Sequence, residues 1–295
     1  MSRIAFSLFI SAAVLMSAPL PSQSFPLPPT VAPGAELIEI HSGEPLYEGP
    51  VWDPIHGALL FTSCRAEEIL CWSPGGSVEV WLADNGGVNG MVMGSDGRLL
   101  AAQVMRHGVL AIDLMTREVE VLVSDETWNQ PNDVCQSPRG DIYFSDPSWV
   151  DHSLSAVYRL SPEGEVTRVI SDMAVPNGVI VTRDGRWLIV GDSVDKIWRR
   201  YPIAEDGTIG EGELFFDPPT EDRLDPDGMA RDAEGNLYLT GRGGVWVVTP
   251  DGESLGLIPT PVFCSNVGFG GADGRTMFLT GRGKVFRLQM TVEGG

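Results

Sequence analysis

A short motif, a glycine turn followed by an apolar strand, recurs six times in this chain. It reads "HGALLFTS" at Gly57, "DGRLLAA" at Gly97, "RGDIYFSD" at Gly140, "DGRWLIVGD" at Gly185, "EGNLYLTG" at Gly235 and "DGRTMFLTG" at Gly274. Successive glycines stand 40, 43, 45, 50 and 39 residues apart. Self-similarity at this period marks a propeller, in which each repeat builds one blade of about four strands. Each interval has room for an apolar strand before the glycine, one after it, and further strands such as "AVYRL" and "EVTRVI". The expected fold is all-β: a six-bladed β-propeller with four-stranded antiparallel blades, closed into a ring that protects its sheet edges. The sixth repeat ends one strand short, so the apolar "ELIEI" at Glu36 to Ile40 is the N-terminal strand expected to close the last blade. Two packed sandwich domains would fit the length but not the period.

Composition agrees with this reading. The chain has 35 glycines and 22 prolines, and its apolar runs are short and rich in β-branched and aromatic residues. No helical spacing of apolar residues is sustained beyond the N-terminus. We expect one propeller domain over 36–290, an N-terminal extension over 25–35 and a C-terminal tail over 291–295. The 40 acidic against 20 basic residues give a net charge of -20, which repels nucleic acid and anionic membrane surfaces. Arg3, the apolar segment Ile4 to Met16 and the small residues Ser22 and Ser24 fit a signal peptide over 1–24, with an uncleaved anchor as the alternative. The expected location is secreted or periplasmic, with no membrane span in the mature protein. Cys64, Cys71, Cys135 and Cys264 form no zinc pattern; Cys64 and Cys71 either pair across a hairpin tip or are ordinary thiols.

The period also sets a phase. Eight residues before Gly97, Gly140, Gly185, Gly235 and Gly274 stand Asn89, Asn132, Asn177, Asp227 and Asn266, and nine before Gly57 stands Glu48. The first strand of each propeller blade lines the central channel, so one phase in six blades predicts one ring of oxygen-bearing side chains. Asn and Asp before Gly are also common turn residues, which is the competing account. Carboxylates and carboxamides together suit a hard divalent cation, Ca²⁺ first, with Mg²⁺, Mn²⁺ and Zn²⁺ as competitors. Glu48 and Asp227 would neutralise its charge; without it they would repel, and one would take up a proton.

The ordered set "EGPVW" at Glu48, "PNDV" at Pro131, "FSDP" at Phe144, "PNG" at Pro176 and "DG" at Asp227 resembles the family of gluconolactonases, senescence-marker proteins and luciferin-regenerating enzymes. The resemblance runs from Glu48 to Met290. It implies a six-bladed propeller with a divalent cation in its channel and hydrolysis of lactones, with a small lactone or ester as the partner molecule. It carries the metal-binding roles onto Glu48, Asn177 and Asp227, and onto Asn132 a contact to metal, water or substrate. Asp227 inherits the role of general base or nucleophile. Animal members carry Arg two residues before the Asn of the Asn-Asp motif, where this chain has Gln130, a departure that bears on the substrate and not on the metal.

If the ring lies where the first strands begin, the loops after the second strands share its face. The longest, Asp146 to Ser155, offers Trp149 and His152 as substrate-wall or acid-base candidates, and "VMRHG" adds Arg106 and His107. A serine-hydrolase reading of "GDSV" at Gly191 fails, because its triad needs a later histidine and the last is His152. "DPDG" at Asp225 lacks the rest of an EF-hand. A phosphotriesterase or arylesterase on the same metal site, or a non-catalytic ligand-binding propeller, are the alternatives; the latter has no need of Glu48 and Asp227 in register.

Overall fold

Each repeat folds into a four-stranded antiparallel sheet with strands in chain order from the channel outward, and six such sheets make the ring. The structure, a computed structural model, describes residues 25–220, 225–241 and 243–295; the expected signal peptide lies outside them. The inner strands of blades 1 to 6 are Glu48–Asp53, Val88–Met93, Val134–Gln136, Pro176–Val181, Met229–Arg231 and Cys264–Gly270. The sixth sheet is completed by Ile38–Ser42, which pairs with Lys284–Gln289, Ile38 opposite Arg287. The closing strand therefore begins two residues later than expected.

A blade is sandwiched between two others, so its middle strands are apolar on both faces. In blade 1 the second strand Ala58–Ser63 is wholly buried: Leu59 and Phe61 pack toward blade 6, while Leu60 packs toward blade 2. The same alternation repeats around the ring and produces six apolar clusters, one in each gap between blades. That is why the second strands read as unbroken apolar runs. Burying a side chain such as Leu60 contributes about 1.5–3 kcal/mol. Chain 25–35 straps across the outside: Phe25 meets Trp246 edge-on, and Val31 bridges to Met290.

All four cysteines are free thiols, so Cys64 and Cys71 do not pair. Cys64 begins a 3₁₀ turn after the second strand of blade 1, and Cys71 lies on the third strand opposite Leu60. Among the described residues, no helix is long and apolar enough to cross a membrane.

Candidate functional site

At the ring phase every inner strand departs from regular pairing. Register shifts fall between Glu48 and Val51, Val88 and Met91, Pro176 and Val179, and Cys264 and Asn266. In blades 3 and 5 the ring residues precede short strands, held by Asn132 N–H to the Ser145 carbonyl at 2.9 Å and Asp227 N–H to the Thr240 carbonyl at 3.3 Å. Such bulges re-aim side chains, here at the phase that the repeat singled out. The glycine that follows the ring residue in four blades also has a steric role. A Cβ on Gly90 would strike the Asp133 side chain, one on Gly178 the Asp227 carbonyl, and one on Gly228 the Asn266 carboxamide. None of these three has a positive φ, so close approach of adjacent inner strands, and not a left-handed turn, demands glycine there.

The ring divides into two kinds of member. Asn266 uses its Oδ1 to accept from Val267 N–H at 2.8 Å and hydrogen-bonds the Glu48 carboxylate. Asn89 donates Nδ2 to the Asn132 carbonyl at 3.2 Å. These two brace their neighbours. Asn132 Oδ1 and Asn177 Oδ1, in contrast, are buried and have no partner among the described residues. The Asn177 orientation is fixed by its surroundings. Ser193 gives its hydroxyl proton to the Pro226 carbonyl at 2.7 Å and so must accept from Asn177 Nδ2, at 3.1 Å. The free atom is therefore the oxygen. Leaving two such oxygens unpaired costs about 1–3 kcal/mol each, unless a ligand satisfies them.

Two aspartates hold the approach to these asparagines. Asp192, buried at the end of the second strand of blade 4, accepts from the backbone N–H of Ala174 at 2.8 Å and of Val175 at 3.3 Å, just ahead of Asn177. Asp146 does the same in blade 3, accepting from Asn129 N–H at 3.0 Å and Gln130 N–H at 2.6 Å, just ahead of Asn132. Sequence reasoning missed both roles, although "FSD" and "VGD" occupy equivalent second-strand ends.

Three carboxyls converge, one more than expected. Glu48, Asp227 and Asp133 are all buried. Burial, and then the charge of Asp133, pushes Glu48 up to about 8. Burial pushes Asp133 up to about 7. Asp227 is held well above the usual carboxylate range by burial and then by Glu48 and Asp133. Asp133 is not among the residues the sequence pattern singles out. Its signal was present: blade 3 has a carboxylate at the phase where four blades have glycine. Among the described residues, no group of three or more His, Cys, Asp or Glu is placed to hold a metal ion. The cluster is a mixed set of carboxylate and carboxamide oxygens, and that donor set fits a hard cation.

The candidate substrate residues lie on the same face but apart from the cluster. Asn132 pairs with Ser145, so the loop that begins after Asp146 starts at the level of the ring. Trp149 on that loop is 44% exposed, and His152, at the start of a short 3₁₀ turn, is exposed too. Gln130 is exposed and tied by its backbone N–H to Asp146. Among the described residues, no hydrogen bond or ring contact joins Gln130, Trp149 or His152 side chains to Glu48, Asn177 or Asp227. Arg106 is engaged with the Asp84 carbonyl at 3.1 Å.

Comparison with known proteins agrees with this architecture. The profile of the SMP-30/Gluconolactonase/LRE-like region matches residues 46–282. The chain is 31% identical over 282 residues to a gluconolactonase of Zymomonas mobilis, covering 82% of this chain and 78% of that one. It is 28% identical over 243 residues to the pentonolactonase XacC of Haloferax volcanii, covering 81% and 82%. A solved gluconolactonase structure from Xanthomonas campestris superposes with a TM-score of 0.79 at 26% identity, covering 88% of this chain and 91% of that one.

Proposed function

We propose that this chain, which belongs to the SMP-30/gluconolactonase/LRE-like family, hydrolyses a lactone at the cluster of Glu48, Asn132, Asn177 and Asp227, with a divalent cation held there. The observation that carries the reading is the pair of buried, unpartnered carboxamide oxygens on Asn132 and Asn177, at the same phase as two buried carboxylates. A pure scaffold has no use for such oxygens. Ca²⁺ suits the all-oxygen set best, and Mg²⁺, Mn²⁺ and Zn²⁺ are its competitors.

When bound, the cation supplies Lewis-acid polarisation of the lactone carbonyl. Glu48, Asn132, Asn177 and Asp227 would hold it, while Ser193 and Asn266 keep Asn177 and Glu48 in place. Asp227 takes the proton from a water that attacks the carbonyl carbon. As the acyl C–O bond breaks, it returns that proton to the departing ring oxygen, leaving a hydroxy acid. The burial that raises Asp227 favours this role, because a more basic carboxylate accepts a proton more readily at neutral pH. Trp149 and His152 would form the outer wall of the substrate site. Gln130 leaves that wall without the cationic side chain of the animal members, which favours an uncharged lactone.

Relatives named gluconolactonase and pentonolactonase support a sugar-type lactone as the first substrate to try. The test is a panel of γ- and δ-lactones, aryl esters and phosphotriesters, assayed with and without EDTA and then with single cations restored. We expect lactone turnover that EDTA abolishes and Ca²⁺ restores. Asp227→Asn should lower kcat by roughly 10²–10⁴-fold with a smaller loss of cation binding by calorimetry. Activity untouched by chelator, or full activity in Asp227→Asn, sinks this reading. The Arg3 to Met16 segment supports export of the enzyme; N-terminal sequencing of exported protein should begin near Phe25.

A further inference from the structure

The channel has a second mouth, on the side of the six glycine turns, and a cavity of about 630 Å³ opens there. Its volume lies within the roughly 300–1,000 Å³ typical of small-molecule sites. Trp52, Met91, Met93, Met229 and Phe269 give it apolar walls, three of them pliable methionines. Asp133 and Asn266 form its inner end, so it reaches the underside of the oxygen cluster without including Asn177 or Asp227.

One wall carries an uncompensated cation. Arg231, last residue of the inner strand of blade 5, is partly buried and lines this cavity. Its Nη1 donates to the Val181 carbonyl at 2.5 Å, but its Nε is buried and has no partner among the described residues. Among the described residues, no acid pairs with it. Burial lowers its proton affinity; Cys135 acts in the opposite direction, and the positive charge of Arg183 adds a smaller lowering. A guanidinium left this way is costly to bury, and in a chain of net charge -20 acids to pair it were plentiful. Arg231 stands three strand residues beyond the phase of Asp133, roughly 10 Å farther toward the turn-side mouth at about 3.3 Å per residue. An anion there is thus separated from the buried carboxyls.

We propose that the turn-side mouth of the channel is a second binding site, taking a small monocarboxylate with an apolar body whose head group docks on Arg231 and whose body lies against Trp52, Met91, Met229 and Phe269. With Nη1 committed to the Val181 carbonyl and Nε enclosed, Nη2 is the donor left for a carboxylate oxygen, and one negative charge matches one partly buried arginine. A phosphate dianion brings more charge than this single arginine neutralises. The site is separate from the proposed catalytic cluster and does not depend on its chemistry.

Hexanoate is the probe, and 1-hexanol its uncharged control, titrated into the full chain by calorimetry in EDTA so that no cation at the ring can hold a carboxylate. We expect saturable one-to-one binding of hexanoate, at least tenfold tighter than of hexanol. Arg231→Met should weaken hexanoate at least tenfold and leave hexanol unchanged, and Arg231→Lys should fall between them. Glu48→Gln should bind hexanoate like the parent, which places the ligand away from the ring. No hexanoate binding by the parent, equal binding of the alcohol, or parent-like binding by Arg231→Met each overturns the proposal. Should Arg231→Met fail to fold, the Arg231→Lys and hexanol comparisons decide alone.

Discussion

Asn177 shows how much of a site rests on residues that never touch a ligand. Its Nδ2 is held by Ser193, whose hydroxyl is committed to the Pro226 carbonyl, and the turn before it is held by Asp192. Removing such supports from an oxygen cluster costs about 10–100-fold in affinity or activity. Ser193→Ala should therefore lower cation affinity and kcat/KM together by roughly that factor while the melting temperature hardly moves. Asp192→Asn, which keeps the shape but weakens the acceptor, should act in the same direction through the backbone. Unchanged cation binding in Ser193→Ala, measured by calorimetry, would show that Asn177 needs no orientation. The ring was legible because Glu48, Asn132, Asn177 and Asp227 recur at one phase. The role of "GDSV" was not, since Ser193 is read there as a failed nucleophile, and only the fold shows that its oxygen faces an asparagine from another strand. Asp133 escaped for a similar reason: burial gives it its character, and burial is a property of the assembled channel.

At the scale of the strand, the inner edges of the blades approach so closely that side chains must be absent between them. Gly228 leaves space for the Asn266 carboxamide, which in turn hydrogen-bonds Glu48, so this contact links blades 5, 6 and 1. Gly228→Ala should force those strands apart, destabilising the protein by about 1–3 kcal/mol and lowering activity by displacing Glu48. Chemical denaturation and lactone assays on the same preparation test this, and a variant of parental stability and activity would mean the strands yield without cost. Gly90 and Gly178, which the competing account would put in Asn-Gly turns, lie within strands instead. The closing strand was expected two residues early for a physical reason. Ile38–Ser42 is an outer strand with mostly exposed side chains, so the apolar residues that mark a buried strand do not mark its ends.

For the molecule as a whole, three buried carboxyls on one channel make stability depend on pH in the opposite sense to ordinary salt-bridged acids. Glu48 is raised from 4.5 to about 8 and Asp133 from 3.8 to about 7. Between roughly pH 4 and pH 8 the folded protein thus holds protons that the unfolded chain has released, and stability falls as pH rises through that window. In EDTA the melting temperature should drop between pH 5 and pH 8, by an amount corresponding to a few kcal/mol. Ca²⁺ should shrink the drop, because a cation compensates the ionised carboxylates. A melting temperature that is flat or rises in EDTA contradicts the burial of these groups.

The ring is fastened by a strand from near the start of the chain. Glu39 is joined to Lys284, 245 residues later, and Ile38 pairs with Arg287. During synthesis Ile38–Ser42 therefore waits for Lys284–Gln289, and blades 1 to 5 can assemble while the sixth still lacks its outer edge. Pairings of such long range are slow to form. A chain cut short before Lys284 would hold an open arc with two unpaired edges, which other chains can join. Completion of the ring thus reports that synthesis has passed Lys284–Gln289, and the closed ring holds Asn266 of the sixth blade against Glu48 of the first.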